Sequence, residues 1–186
     1  MTLRKHALDI AAFIWGVAEG TLFFFVPDVL LSYIGLKNGV KDAARASLIA
    51  AIGAAVGGAI MYAWSAADPA AARAAVLAVP AISEAMVARA ADAMREDWFL
   101  ATLLGPLSST PFKVYAILAL HAGGTTLPAF ALAGMIARLP RFLLVGCGVA
   151  LLGRGLRRWL SERRLFWLLI GAWVLFYAVF FASMPN

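Results

Sequence analysis

The chain has 186 residues, of which 63% are hydrophobic and 14% are charged, and its net charge is +6. This composition lies outside the range of soluble domains and predicts an all-α integral membrane protein with a single domain over residues 1–186. The basic residues stand beside apolar stretches rather than in an aromatic-rich patch. They therefore exclude a nucleic-acid-binding class and favour contact with anionic lipid head groups. No cofactor is predicted.

The first apolar stretch, residues 10–36, follows a basic N-terminus and ends at the basic segment "LKNGVKDAAR". Basic segments favour the cytoplasmic side, so both ends of this stretch are predicted to be cytoplasmic. We therefore predict a re-entrant hairpin of two short helices that enters the membrane, turns near Pro27 and returns. Asp9 within the apolar run argues against a cleaved signal peptide.

Residues 44–66 form the next apolar stretch, which is long enough to span a bilayer. Its "GAAVGG" motif permits close helix approach. Packing within the chain is the favoured interpretation, and a homo-oligomer is left open.

The acidic segment at residues 68–97 carries three arginines and five acids, so it is predicted to be extracytoplasmic. Asp68 before Pro69 and Ser83 before Glu84 are helix-start signals. They predict amphipathic helices that lie on the membrane surface.

The third apolar stretch, residues 98–121, begins outside and must also end outside, because the span at 125–152 runs inward to the basic segment "GRGLRRWLSERR". It is predicted to be a second re-entrant hairpin, broken near Gly105, Pro106 and Pro111. A final span at 165–183 runs outward. The plan is an inverted repeat of two opposed hairpins, each followed by a span, with the N-terminus cytoplasmic and the C-terminus extracytoplasmic.

Five charged side chains fall in the interior of the apolar stretches, away from their ends: Glu19, Asp28, Lys113, Arg138 and Arg141. A charge at the bilayer centre costs at least about 2.5 to 3.5 kcal/mol, so such residues mark a cavity, a partner or a function. The three basic side chains are interpreted as a binding site for a phosphate-bearing head group, because arginine makes forked contacts with phosphate oxygens.

Two further sets of residues extend this hypothesis. Ser108, Ser109 and Thr110 would add donors to the same anion. Glu19 and Asp28 are predicted to exchange protons and so couple head-group release to a proton, because burial disfavours a charged carboxylate.

Two structural alternatives stay open at this point. The charged residues would pair as internal salt bridges that only fix the hairpins, or the span would end near Leu139 and both arginines would reach an interface. His6 and His121 lack ligand spacing, so no metal site is predicted. No serine has a histidine base nearby, so an enzyme is not predicted.

The segments "EGTLFFFVPDVLL", "GPLSSTPFKVYAI" and "ARLPRFLLVG" resemble the DedA superfamily, also called SNARE-associated or VTT-domain proteins, and in particular its small YqaA-like branch. The resemblance covers most of residues 11–154. It implies two opposed re-entrant hairpins in a bacterial inner-membrane protein. It also implies a flippase or scramblase that moves lipids between leaflets, with links to the recycling of undecaprenyl phosphate or other phospholipids and to proton-dependent membrane homeostasis.

The resemblance assigns particular residues. Glu19 matches the acidic residue of the first hairpin, and Asp28 matches the acidic residue after its proline. Arg138 and Arg141 match the basic pair of the YqaA-like branch, while Lys113 stands near the usual arginine. The chain departs from the pattern where Asp28 directly follows Pro27 and where lysine replaces arginine.

Two other functions compete with lipid transport. A membrane scaffold would have a closed interior with all charges paired. A proton-coupled carrier of a small solute would have a water-filled path with no lateral opening to lipid.

Overall fold

The structure is a computed structural model that describes residues 2–105 and 110–183, and every regular element in these ranges is a helix. The helices are α1 (Thr2–Gly20), α2 (Asp28–Asn38), α3 (Val40–Ala67), α4 (Pro69–Leu77), α5 (Glu84–Leu104), α6 (Phe112–Leu118), α7 (Leu127–Leu156) and α8 (Glu162–Ser183). A short 3-10 helix, Ala119–His121, follows α6. Ser108 and Ser109 lie outside the described residues.

Three of these helices, α3, α7 and α8, are long and apolar enough to cross a membrane. They coincide with the spans predicted at 44–66, 125–152 and 165–183 and extend beyond most of those limits. Helix α7 continues through Pro140, and Arg138 is buried. The alternative in which the span ends near Leu139 and Arg138 reaches an interface is therefore wrong.

The first apolar stretch folds as α1 and α2, which are joined by a turn at residues 21–27. Helix α1 packs along α3 through glycines on both helices. A Cβ atom at Gly16 would collide with the carbonyl group of Ala50, and one at Gly57 would collide with the carbonyl group of Val17. The prediction that "GAAVGG" packs closely within the chain is confirmed, because the contact lets the two backbones touch.

The two predicted helix starts in the acidic segment are confirmed. The Asp68 carboxylate accepts a hydrogen bond from the Ala71 amide at 2.9 Å, and the Ser83 hydroxyl accepts one from the Met86 amide at 3.2 Å. Helices α4 and α5 also contribute buried residues, among them Ala72, Val76, Val87, Ala90 and Met94. The segment therefore packs against the α3 and α6 core in addition to having an exposed face.

Helix α5 is kinked at Asp97, where the backbone is extended. The Asp97 carboxylate accepts a hydrogen bond from the Leu100 amide at 2.9 Å, so it restarts the helix after the kink. The kink lies at the predicted boundary between the acidic segment and the apolar stretch at 98–121. An acidic side chain thus separates the two parts of one helix.

Ion pairs gather the basic segments at one end of the molecule, which we call the basic end. Lys5 pairs with Asp42 at 2.9 Å, and Arg45 pairs with Asp9 at 3.1 Å. Across the same end, Lys37 of α2 lies 3.4 Å from a carboxylate oxygen of Glu162 at the start of α8. The start of α1, the α2–α3 junction and the α7–α8 junction therefore lie together.

Candidate functional site

The five charged residues predicted from the apolar stretches converge in one region. Glu19 lies in the last turn of α1 and Asp28 in the first turn of α2, while Lys113 begins α6 and the two arginines lie in the middle of α7. Four of these residues are at most 5% exposed: Glu19, Asp28, Lys113 and Arg138. Burial of so many charges requires partners, because an isolated buried charge is strongly unfavourable.

Both arginines are paired with the acidic residues. Nη1 of Arg138 donates to Oε1 of Glu19 at 2.6 Å, and both side chains are buried. Nη2 of Arg141 lies 2.9 Å from Oδ2 of Asp28, and the Arg141 side chain remains 34% exposed. Arg138 is thus enclosed, whereas Arg141 is open on one side.

The Arg138 guanidinium also lies over the Phe112 ring, 5.1 Å from its centroid. Phe112 stacks on Phe130 with the two ring centroids 5.2 Å apart. The Phe112 ring occupies the space beside Gly58 of α3 and Gly134 of α7, where any Cβ atom would meet it. Two glycines therefore make the gap that admits this ring, and the ring supplies a cation–π contact to the arginine.

Lys113 binds backbone rather than a carboxylate. Its Nζ donates to the carbonyl oxygen of Phe23 at 2.8 Å, in the turn between α1 and α2. Two other side chains bind the same turn. Trp15 donates from Nε1 to the Phe25 carbonyl at 2.9 Å, and the Tyr177 hydroxyl accepts from the Val26 amide at 3.1 Å. Side chains of three helices thus satisfy backbone groups that the turn leaves free.

A cavity of about 420 Å³ lies next to these residues. Its polar side is formed by Glu19, Thr110, Lys113, Arg138 and Arg141. Its apolar side is formed by Phe24 and Val26 of the turn, by Val79, Pro80, Ala81 and Met86, and by Phe176, Tyr177 and Phe180 of α8. The cavity is therefore amphipathic, with charge on one wall and hydrocarbon on the other.

Several buried polar atoms of the site have no hydrogen-bond partner among the described residues. They are Oε2 of Glu19, both carboxylate oxygens of Asp28, Nε of Arg138, and Nε and Nη2 of Arg141. The Arg141 contact with Asp28 is thus an ion pair without an aligned hydrogen bond. Buried polar groups are almost always satisfied by protein, water or ligand. These atoms mark where a polar molecule would complete the site.

The structure brings Glu19, Asp28, Lys113, Arg138 and Arg141 together and places Thr110 on the cavity wall. The hydroxyl groups of Ser108 and Ser109 belong to the part of the chain outside the described residues. Sequence reasoning missed Phe112 and Tyr177. The only available signal for Tyr177 was a hydroxyl group within an otherwise apolar run of α8.

Comparisons of the chain with protein-family models, with curated proteins and with solved structures gave no match.

Proposed function

We propose that this protein moves a lipid with a phosphate-bearing head group between the two leaflets of a membrane, as its resemblance to the DedA superfamily implies. The observation that carries the proposal is the amphipathic cavity, in which Lys113, Arg138 and Arg141 share the lining with an apolar wall to which α8 contributes Phe176, Tyr177 and Phe180. A lipid is the class of substrate that needs both surfaces at once. A small polar solute would leave the apolar wall without a partner.

The head-group step uses the three basic residues. Arg141 is the most accessible of them, so it makes the first contact with the phosphate. Arg138 also lines the cavity, and its buried Nε–H has no hydrogen-bond partner among the described residues. Guanidinium groups bind phosphate oxygens with paired, charge-assisted hydrogen bonds, so the phosphate competes with the carboxylates for the arginines.

The carboxylates couple this exchange to the uptake and release of a proton. When a phosphate takes Arg138 or Arg141, a buried acid loses its counter-charge, and it then takes up a proton to stay neutral. Release of that proton restores the ion pairs of Glu19 with Arg138 and of Asp28 with Arg141. In this mechanism Glu19 and Asp28 couple head-group release to proton movement.

The lipid tails stay in the bilayer during transport. Helix α8 contributes three aromatic side chains to the apolar side of the cavity, and it is the least buried of the three long apolar helices. It is held mainly by aromatic contacts, such as that of Phe25 with Tyr177 at 4.9 Å between centroids, and by the hydrogen bond from Trp173 to Ser32 at 2.9 Å. A lateral displacement of α8 would open the cavity to lipid.

The proposal includes the re-entrant arrangement and its orientation. The turn at residues 21–27 has its backbone groups bound by side chains from the rest of the fold, which is what a non-helical segment at membrane depth requires. The basic end is assigned to the cytoplasm by the positive-inside rule. The two hairpins then enter a bacterial inner membrane from opposite sides.

The test is leaflet exchange of fluorescent phospholipids and of a polyprenyl phosphate in vesicles that contain the purified protein. Wild type is compared with Arg141→Gln and Arg141→Lys, and Arg89→Gln is the matched control, because Arg89 is an exposed arginine outside the cavity. We expect exchange above that of empty vesicles, a loss of at least about tenfold in Arg141→Gln, partial rescue in Arg141→Lys and no loss in the control.

Two results would contradict the proposal. Exchange no faster than in empty vesicles for every lipid would favour the scaffold, which the two internal ion pairs also suit. Exchange that is equal in wild type and in Arg141→Gln would show that the cavity does not bind the head group during exchange.

A further inference from the structure

A second and larger concavity lies on the outer face of α8, away from the candidate site. Its volume is about 820 Å³, and it follows one face of the helix. Its smallest lining residues are Gly171 and Ala172, which we call its floor, and Trp167, Leu168 and Leu175 line it as well. Its lining residues all fall between Leu160 and Leu175, so no other helix among the described residues contributes to it.

The end of this groove nearest the basic end is cationic. Arg163 and Arg164 line it together with Ser161. Neither arginine side chain forms an ion pair or a hydrogen bond with another described residue. The nearby acid, Glu162, is engaged by Lys37 and Arg157, each at 3.4 Å. The two arginines are therefore left with uncompensated charge at the mouth of an apolar groove.

The length of the groove matches one leaflet. Arg164 and Leu175 are separated by about 16 Å along the helix, from the 1.5 Å rise per residue. This distance is close to half of the hydrocarbon thickness of a bilayer, which is about 30 Å. Trp167 lies one turn from the arginines, at the depth where tryptophan is enriched in membrane proteins. The groove thus has a head-group end, an interfacial aromatic side chain and an apolar floor.

We propose that this groove binds an anionic phospholipid of the leaflet at the basic end. The phosphate is held by Arg163 and Arg164, and one acyl chain lies over Gly171 and Ala172. The occupant is a resident lipid, because charge complementarity selects an anionic head group and the apolar floor selects a chain attached to it. This proposal is independent of lipid transport, since the groove shares no residue with the cavity at Arg138.

The test measures quenching of Trp167 fluorescence by lipids with brominated acyl chains, with the full-length protein in vesicles. The Trp167 contribution is the difference between wild type and Trp167→Phe. Brominated phosphatidylglycerol is compared with brominated phosphatidylcholine at equal mole fractions. We expect phosphatidylglycerol to bind about 25-fold more tightly, from about fivefold for each of the two arginines that hold its phosphate.

In the variant Arg163→Gln/Arg164→Gln, the ratio of the affinities for phosphatidylglycerol and phosphatidylcholine should fall close to one. Arg154→Gln is the matched control, because Arg154 is also an exposed arginine, in the last turn of α7, but does not line the groove. Its preference should equal that of wild type. Since these side chains are exposed, the variants are expected to fold.

Three results would overturn the proposal. The first is an equal effect of both lipids in wild type, and the second is a preference that survives in the double variant. The third is absence of quenching by either lipid together with cross-linking of Ala172→Cys between two copies in a Cys147→Ser background. That last result would assign the groove to a second copy of the chain.

Discussion

Arg138 and Glu19 are 119 residues apart in the sequence, yet Nη1 of Arg138 lies 2.6 Å from Oε1 of Glu19, and both side chains are buried. The pair ties the end of α1 to the middle of α7. Removing one partner leaves the other charge buried without compensation, which is far less favourable than losing the pair as a whole. Single and double variants of the pair can therefore test its effect on stability and its role in function separately.

We expect Arg138→Met and Glu19→Leu each to lower the free energy of unfolding by about 3 to 5 kcal/mol, because each leaves an unpaired buried charge. The double variant should lose much less than the sum of the two. Unfolding in mixed micelles measures this. The control is Arg95→Met, which breaks an ion pair with Asp92 whose side chains are both 71% exposed and should change stability by less than about 1 kcal/mol.

The same double variant separates the two interpretations of the pair. Under the transport proposal it folds but no longer exchanges lipid between leaflets. A stable double variant that exchanges lipid at the wild-type rate would show that the pair only holds α1 against α7.

The charged residues of the site could be found from the sequence because charge in an apolar stretch is rare and unfavourable. Which acid pairs with which arginine could not be found from the sequence. Nothing in the sequence indicates that Arg138 pairs with Glu19 and Arg141 with Asp28, because this depends on how α7 crosses α1 and α2. Thr110 was expected beside the same residues for its position before Pro111, and it does line the cavity.

The aromatic members of the site were missed for a different reason. A phenylalanine in a membrane segment usually faces lipid or core, and only the gap between Gly58 and Gly134 turns Phe112 toward Arg138. Helix limits also depended on tertiary contacts. Helix α1 extends back to Thr2, beyond the apolar run that starts at Ile10, and the Lys5 and Asp9 side chains on it are paired with α3.

The contact between α1 and α3 predicts a strong effect of adding one methyl group. Gly57→Ala would place its Cβ against the Val17 carbonyl and the Gly20 backbone, so we expect it to lower the free energy of unfolding by about 1 to 3 kcal/mol. Gly148→Ala of α7 is the matched control, because nothing lies within 4 Å of its added Cβ. Alanine there should raise stability by up to about 1 kcal/mol through helix propensity. Equal effects of the two changes would contradict the close packing of α1 on α3.

The hydrogen bond of Tyr177 with the Val26 amide predicts that its removal raises the rate of leaflet exchange. Tyr177→Phe removes the acceptor, which costs about 1 kcal/mol, and leaves the aromatic contacts in place. Because this bond joins α8 to the turn at residues 21–27, and the proposed transport needs α8 to move away from the cavity, we expect leaflet exchange to accelerate by up to about fivefold. The control is Tyr33→Phe, since the Tyr33 hydroxyl has no hydrogen-bond partner within the described ranges. Unchanged or slower exchange in Tyr177→Phe would exclude α8 displacement as the limiting step.

The proposed orientation predicts which sites a membrane-impermeant maleimide reaches. The reporters are single cysteines in a Cys147→Ser background at four exposed positions: Ala7→Cys, Lys41→Cys, Ala70→Cys and Gly123→Cys. If both hairpins are re-entrant, the first two are labelled only in inside-out vesicles and the last two only in intact cells. Ala7 and Lys41 lie on either side of the apolar stretch at residues 10–36, and Ala70 and Gly123 lie on either side of the stretch at residues 98–121. A hairpin that crosses the membrane instead of returning would place the two cysteines of its pair on opposite sides, and this result would remove the inverted repeat from the proposal.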